Sequence, residues 1–148
     1  MTNAALVAWP CEENVVASVV SFLKTEGWTI ESVANTEARA PGADIRAVRS
    51  EELPIVEVKG YPGTVYARGE NKGKPKPTKP GVQARHWYGQ VMFDAILRQS
   101  QFPSATIMIA LPDFPVFTNL ISRTEHALRK LGIGVFLVRE TCTVSKVL

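Results

Sequence analysis

The chain has 148 residues, 45% of them hydrophobic and 21% charged, with a formal net charge of +3 when its histidines are neutral. That length predicts one domain over residues 1–148 with a real core, and the composition is that of an ordinary soluble globular protein. No apolar run approaches the roughly 20 residues needed to span a bilayer, and no basic segment leads into an apolar one as in a secretion signal. Cys11 and Cys142 have neither a CxxC partner nor a histidine at zinc spacing, which argues against a structural zinc. The expected setting is cytoplasmic, with reduced thiols and no membrane partner.

In chain order, the first periodic segment is Glu12 to Glu26, where Val16, Val19, Val20 and Leu23 fall at helical spacing. Gly27 follows as a helix stop. Trp28 to Asn35 is rich in β-branched residues and predicts a strand. After the punctuation of Pro41-Gly42, Asp44 to Arg49 and Leu53 to Lys59 predict two strands joined by a short polar turn at Ser50-Glu51-Glu52. Residues 60–81 are broken by glycine and proline throughout, so they predict a loop rather than a helix or central strand. A loop that long inside a compact domain is usually functional or disordered.

Val82 to Gln99 predicts the longest helix, with Ala84, Tyr88, Val91, Met92, Ala95 and Ile96 as its apolar stripe. Ala105 to Leu111 is a buried strand, Phe117 to Leu131 a helix stopped by Gly132, Ile133 to Val138 a second buried strand, and Thr143 to Leu148 an edge strand. Three consecutive strands predict an antiparallel meander, and strands separated by helices predict parallel pairing through right-handed crossovers. The expected fold is α/β, with a mixed central sheet between layers of helices.

Side chains alternate across a strand, so Glu57 and Lys59 share a face that excludes Val56 and Val58. A hairpin centred between Ser50 and Glu51 sets residue 44 opposite residue 57 and brings Asp44 beside Glu57. A bare ExK in a strand is most often a solvated face; the acid across the hairpin and the basic loop that follows argue otherwise here. Mg²⁺ takes oxygen ligands and keeps waters and substrate phosphate oxygens in its shell. Asp44, Glu57 and the Val58 carbonyl are suitable protein ligands for it, and Lys59 is placed to orient a water or stabilise a phosphate transition state. The expected chemistry is metal-assisted phosphodiester hydrolysis.

Gly42-Ala43-Asp44 followed by Glu57-Val58-Lys59-Gly60 resembles the signature of the PD-(D/E)XK nuclease superfamily, nearest to its Holliday-junction-resolvase-like and Mrr-like groups. The αβββαβ core of that family is similar to the element order over most of this chain, which then adds a helix and a strand. The resemblance implies a restriction-endonuclease-like fold, Asp44 and Glu57 as metal ligands and Lys59 as the catalytic lysine. It also implies a glutamate of the first helix at the metal, Glu12 matching best and Glu13 being its rival, and a supporting glutamine after ExK at Gln90. Ala43 stands before the acid at a position that varies within the family, with Pro41 further back.

The positive charge is concentrated between Lys59 and Arg85, where Glu70 is the only acid. Lys72, Lys74, Lys76 and Lys79 alternate with glycine and proline in what reads as an extended segment tracking a nucleic-acid backbone, with Arg85 at the following helix start. His86 reads as exposed or structural and Trp87 as core. The expected activity is a Mg²⁺-dependent endodeoxyribonuclease, with Mn²⁺ substituting and DNA as partner. The alternative is a catalytically silent nucleic-acid-binding or accessory subunit on the same fold. A homodimer and a separate specificity subunit are the protein partners such a small nuclease domain admits.

Overall fold

The computed structural model describes residues 9–34, 42–66 and 69–148; the expectations that involve Asn35 and Pro41, and residues 67 and 68 of the expected loop, lie outside the described residues. Helix α1 spans Glu12–Thr25, and strands β1 (Thr29–Val33), β2 (Ile45–Val48) and β3 (Pro54–Val58) follow. Helix α2 (Pro80–Gln101), β4 (Thr106–Pro112), α3 (Pro115–Leu131), β5 (Gly134–Val138) and β6 (Val144–Lys146) complete the order expected from the sequence. The helix stops are where the glycines put them: Gly27 has φ +88° after α1, and Gly132 has φ +70° at the end of α3.

The six strands lie side by side in chain order in one sheet. β1, β2 and β3 meander antiparallel, β3, β4 and β5 run parallel, and β6 returns antiparallel along β5. The period-two alternation divides the apolar strand residues cleanly between two faces. Ile55, Ile107, Ile109, Leu111, Val135 and Leu137 pack with Ala84, Tyr88 and Val91 of α2 and Phe117, Ile121 and Leu128 of α3. Val56, Val58, Met108, Ala110, Phe136 and Val138 pack with Val15, Val16, Val19 and Leu23 of α1. Burial on both faces explains why β4 and β5 read as continuous apolar runs. The result is a three-layer α/β fold with a restriction-endonuclease-like arrangement.

The turn between β2 and β3 decides what faces what. Arg49 and Glu52 exchange both backbone hydrogen bonds, at 3.1 and 3.0 Å, leaving Ser50 and Glu51 as a two-residue loop. Ser50 takes the left-handed φ of 55° that such a tight turn requires. The register that follows pairs Arg46 with Ile55 and Ile45 with Val56; one step further it sets Asp44 opposite Glu57. Gly60, just beyond β3, is where the start of α1 crosses. A Cβ there would stand 2.6 Å from both the Glu12 nitrogen and the Pro10 oxygen, so only glycine lets the two backbones meet.

Candidate active site

Glu57 is 3% exposed and is the buried charged residue among the described residues. Ile45 and Ala47 face α1, so Asp44 and Arg46 face α2, the same side as Ile55 and Glu57. Asp44 is fixed twice. Its backbone oxygen accepts the Ala34 N–H at 2.8 Å, and its carboxylate Oδ2 accepts the Val58 N–H at 2.8 Å. Because a strand residue directs N–H and C=O to the same edge, the Val58 carbonyl also faces the Asp44 side. Lys59 continues the strand by donating its N–H to Ala110 O at 3.1 Å, which keeps its side chain on the Glu57 face.

The partner of Glu57 is Arg98, near the end of α2. Its Nε donates to Glu57 Oε1 at 2.6 Å, and its Nη1 donates to Gln101 Oε1 at 2.8 Å. The ion pair is deeply set, the side chains being 15% and 4% exposed. Burial pushes the Glu57 carboxyl up from 4.5 to about 8, against the pull of the Arg98 hydrogen bond and with the help of the neighbouring negative charge of Asp44. Asp94, one turn before Arg98, is also raised by burial, with Lys59 and Arg98 opposing and Asp44 adding to the rise. Two acids on the strands and one on α2 thus surround the space between Lys59 and Arg98.

Lys59, His86, Gly89, Gln90, Phe93 and Asp94 line an open groove of about 710 Å³ along α2. Gln90 therefore lines the same groove as Lys59. A smaller cleft of about 320 Å³, bounded by Trp28, Arg49, Met108 and Phe136, is the more enclosed of the two. It is built on the α1 face of the sheet and holds neither Glu57 nor Lys59.

The start of α1 stands against Gly60, so Glu12 enters the neighbourhood of Lys59 through its backbone. Glu13 lies beside the Cys11 thiol, whose pKa is raised first by burial and further by that carboxylate. Among the described residues no three of His, Cys, Asp and Glu gather closely enough to hold a metal ion. Asp44 and Glu57 are brought together. The pair nevertheless fits Mg²⁺, which is commonly held by one or two carboxylates with waters and phosphate filling the shell. A buried carboxylate whose pKa is raised by burial and by the charge of Asp44 beside it belongs to a hard-oxygen donor pair that a divalent cation relieves.

The basic segment differs from the expected extended run. Val65 bridges Pro75, Tyr66 exchanges bonds with Lys74 and Gly73, and Lys76 N–H donates to Thr64 O at 2.9 Å, which sets residues 64–66 against residues 73–76. Gly69 and Gly73, with φ of +82° and +83°, allow the reversal. Lys72, Lys74, Lys79 and Arg85 are exposed. Lys76 instead turns inward, its Nζ donating to Gln83 Oε1 at 3.2 Å and lying 5.8 Å from the Trp87 ring and 6.0 Å from the Tyr66 ring. Trp87 is half-buried rather than core, and Lys59 Nζ lies 5.9 Å from its ring.

Sequence reasoning missed Arg98. Gln90, Asp94 and Arg98 recur at every fourth residue of α2, a polar line down a helix whose other face is core. That line was the available signal.

No family model matches the sequence, and no curated protein matches it. Two crystal structures match in three dimensions. One is an XisH family protein from Nostoc punctiforme, with 14% identity over 88% of this chain and 95% of that one, at a TM-score of 0.50. The other is an fdxN element excision controlling factor protein from Anabaena variabilis, with 15% identity over 92% of this chain and 97% of that one, at a TM-score of 0.51. The chain shares their fold. At this identity the likeness extends to the architecture over nearly the whole length of both proteins. No helix of the described residues is long and apolar enough to cross a membrane.

The raised Glu57 carboxyl has a consequence for the metal-free protein. Its folded pKa lies above its unfolded value, so the folded chain keeps a proton that the unfolded chain releases. The resulting stability is complete below 4.5 and is lost as pH rises towards about 8. Asp94 acts in the same sense. The melting temperature in EDTA is therefore expected to fall between about pH 5 and pH 8, with Glu57→Gln flattening most of that slope in a thermal-shift series. An unchanged slope in the variant would show that Glu57 is not the group responsible.

Proposed function

We propose that the protein is a divalent-metal-dependent endodeoxyribonuclease of the PD-(D/E)XK type. The observation that carries this reading is the buried Glu57 set opposite Asp44, with Lys59 on the same face and lining an open groove. Asp44, Glu57 and the Val58 carbonyl would hold Mg²⁺, or Mn²⁺ in its place, and Glu12 approaches from the start of α1. When bound, the cation supplies positive charge against the phosphate oxygens and acidifies a water. Lys59 places an ammonium where negative charge develops on the phosphate, and Gln90, lining the same groove, offers an amide to the attacking water or the phosphate. Lys72, Lys74, Lys79 and Arg85 supply phosphate contacts that hold DNA without reading its sequence. One structural neighbour is described as an excision controlling factor, a description that suits a chain acting on DNA.

One observation favours the second reading, a catalytically silent DNA-binding subunit: Arg98 already occupies one oxygen of Glu57. The two readings separate in a single assay. Wild-type protein is incubated with supercoiled plasmid and with branched DNA in Mg²⁺ or Mn²⁺, beside Asp44→Ala. Loss of a ligand that contributes several kcal/mol of charge stabilisation is expected to slow cleavage at least about 100-fold. Equal cleavage by the two proteins would overturn the nuclease assignment, and salt-sensitive DNA binding without calorimetric metal binding would establish the silent one.

A further inference from the structure

Gly89, in the middle of the 22-residue α2, lines the groove. Glycine inside a helix weakens it relative to alanine. Nothing within the chain asks for glycine here, because the position is exposed and an added Cβ would meet no atom within 4 Å. What the bare position does provide is close approach to the helix backbone from outside. Phe93, one turn along the same face, is 64% exposed, and its ring joins no aromatic pair among the described residues. His86, Lys59 and Asp94 also line the groove. Beyond Lys59 the surface continues through the half-buried Trp87, with the Lys59 and Lys76 ammoniums 5.9 and 5.8 Å from its ring, near the outer limit of a cation–π contact.

The geometry points to an unpaired nucleotide as the occupant: the groove takes a single-stranded or splayed nucleotide, its base stacked on Phe93 over Gly89 and its phosphate directed to Lys59. The inference rests on the nuclease reading and narrows its substrate class. An aromatic face beside an ammonium suits a base that has left its stack, because bases within a duplex have no free face to offer. The volume of about 710 Å³ is ample for a small-ligand-sized group. The Lys59 ammonium in the groove and the exposed Lys72, Lys74, Lys79 and Arg85 of the preceding segment and helix start favour nucleic acid over a second copy of the chain.

The test measures binding in EDTA, so that loss of cleavage cannot enter the result. Fluorescence anisotropy compares an oligothymidylate of about 20 nucleotides with a blunt duplex of the same length at one salt concentration. The single strand is expected to bind about tenfold tighter. Phe93→Ala should remove that advantage and leave duplex binding within about twofold, while Phe93→Tyr keeps it. Gly89→Ala carries the sharper signature: it should raise the melting temperature by about 2–3 °C and yet weaken single-strand binding several-fold. Equal affinity for duplex and single strand overturns the inference, as does Gly89→Ala with unchanged affinity. So does Phe93→Ala that leaves binding intact but turns a dimer into a monomer in sedimentation, which would assign the ring to a second copy. Single-strand binding with the expected variant effects but no cleavage in Mg²⁺ would keep the groove and discard the nuclease.

Discussion

Lys59→Ala is expected to slow DNA cleavage by about 10²–10³-fold while leaving the fold and metal binding nearly unchanged. The lysine is half-exposed at the end of β3 and contributes its side chain to the groove rather than to either apolar cluster. Its removal therefore opens no cavity, and the melting temperature should move by only a degree or two. What is lost is a preorganised ammonium in a partly enclosed site, where a fixed charge acts more strongly than in water. Ground-state binding should suffer little, because the proposed reading assigns most phosphate contacts to the exposed Lys72, Lys74, Lys79 and Arg85. Lys59→Arg should rescue poorly, since a planar fork does not reproduce a compact ammonium. Single-turnover cleavage at saturating protein, with calorimetric Mg²⁺ titration of each variant, isolates the effect. Cleavage within about threefold of wild type would remove Lys59 from the mechanism.

Arg98→Leu is expected to cost stability on the order of 3 kcal/mol, or about 6–12 °C in melting temperature, when measured near pH 8. The mutation leaves Glu57, 4% exposed on its side chain, without its 2.6 Å partner. Breaking a buried ion pair from one side is costly because the remaining charge keeps its desolvation penalty. The cost falls at the lower end of the usual range because Glu57, already raised to about 8, escapes it by taking a proton. For the same reason the loss should shrink at about pH 5, where the carboxyl is neutral with or without the arginine. Mg²⁺ affinity should fall as well, since the cation must then displace a more tightly held proton. A Glu57→Leu/Arg98→Leu double variant should recover much of the stability, as an apolar pair replaces a charged one. Were the double variant to lose the sum of the two single losses, the residues would not be energetically coupled.

The elements were legible in the sequence because their signals are local. Val16, Val19 and Leu23 mark a helix by spacing alone, and Gly27 and Gly132 mark the stops because only residues tolerant of positive φ sit easily there. The pairing of Asp44 with Glu57 was legible for a similar reason. Register in a hairpin follows from loop length, and Ser50-Glu51 leaves a single arrangement in which both acids face α2. The glycine, proline and basic content of residues 60–81 is plain in the sequence. The pairing of residues 64–66 with residues 73–76, and the inward turn of Lys76 to Gln83, depend on contacts across residues 64–83 that no local pattern encodes.

Asp44, Glu57 and Lys59 are thus a property of the chain's order, carried by a two-residue turn and the alternation of a strand. Arg98 is a property of packing. It lies 41 residues from Glu57, and the two meet only because α2 crosses back over β3 on the face opposite α1. The same crossing raises the Glu57 carboxyl by excluding water, brings Asp94 into the field of Lys59, and exposes Gly89 and Phe93 as the walls of the groove. Desolvation and long-range contact belong to the assembled layers, because neither exists until α2 and the sheet have excluded the water between them.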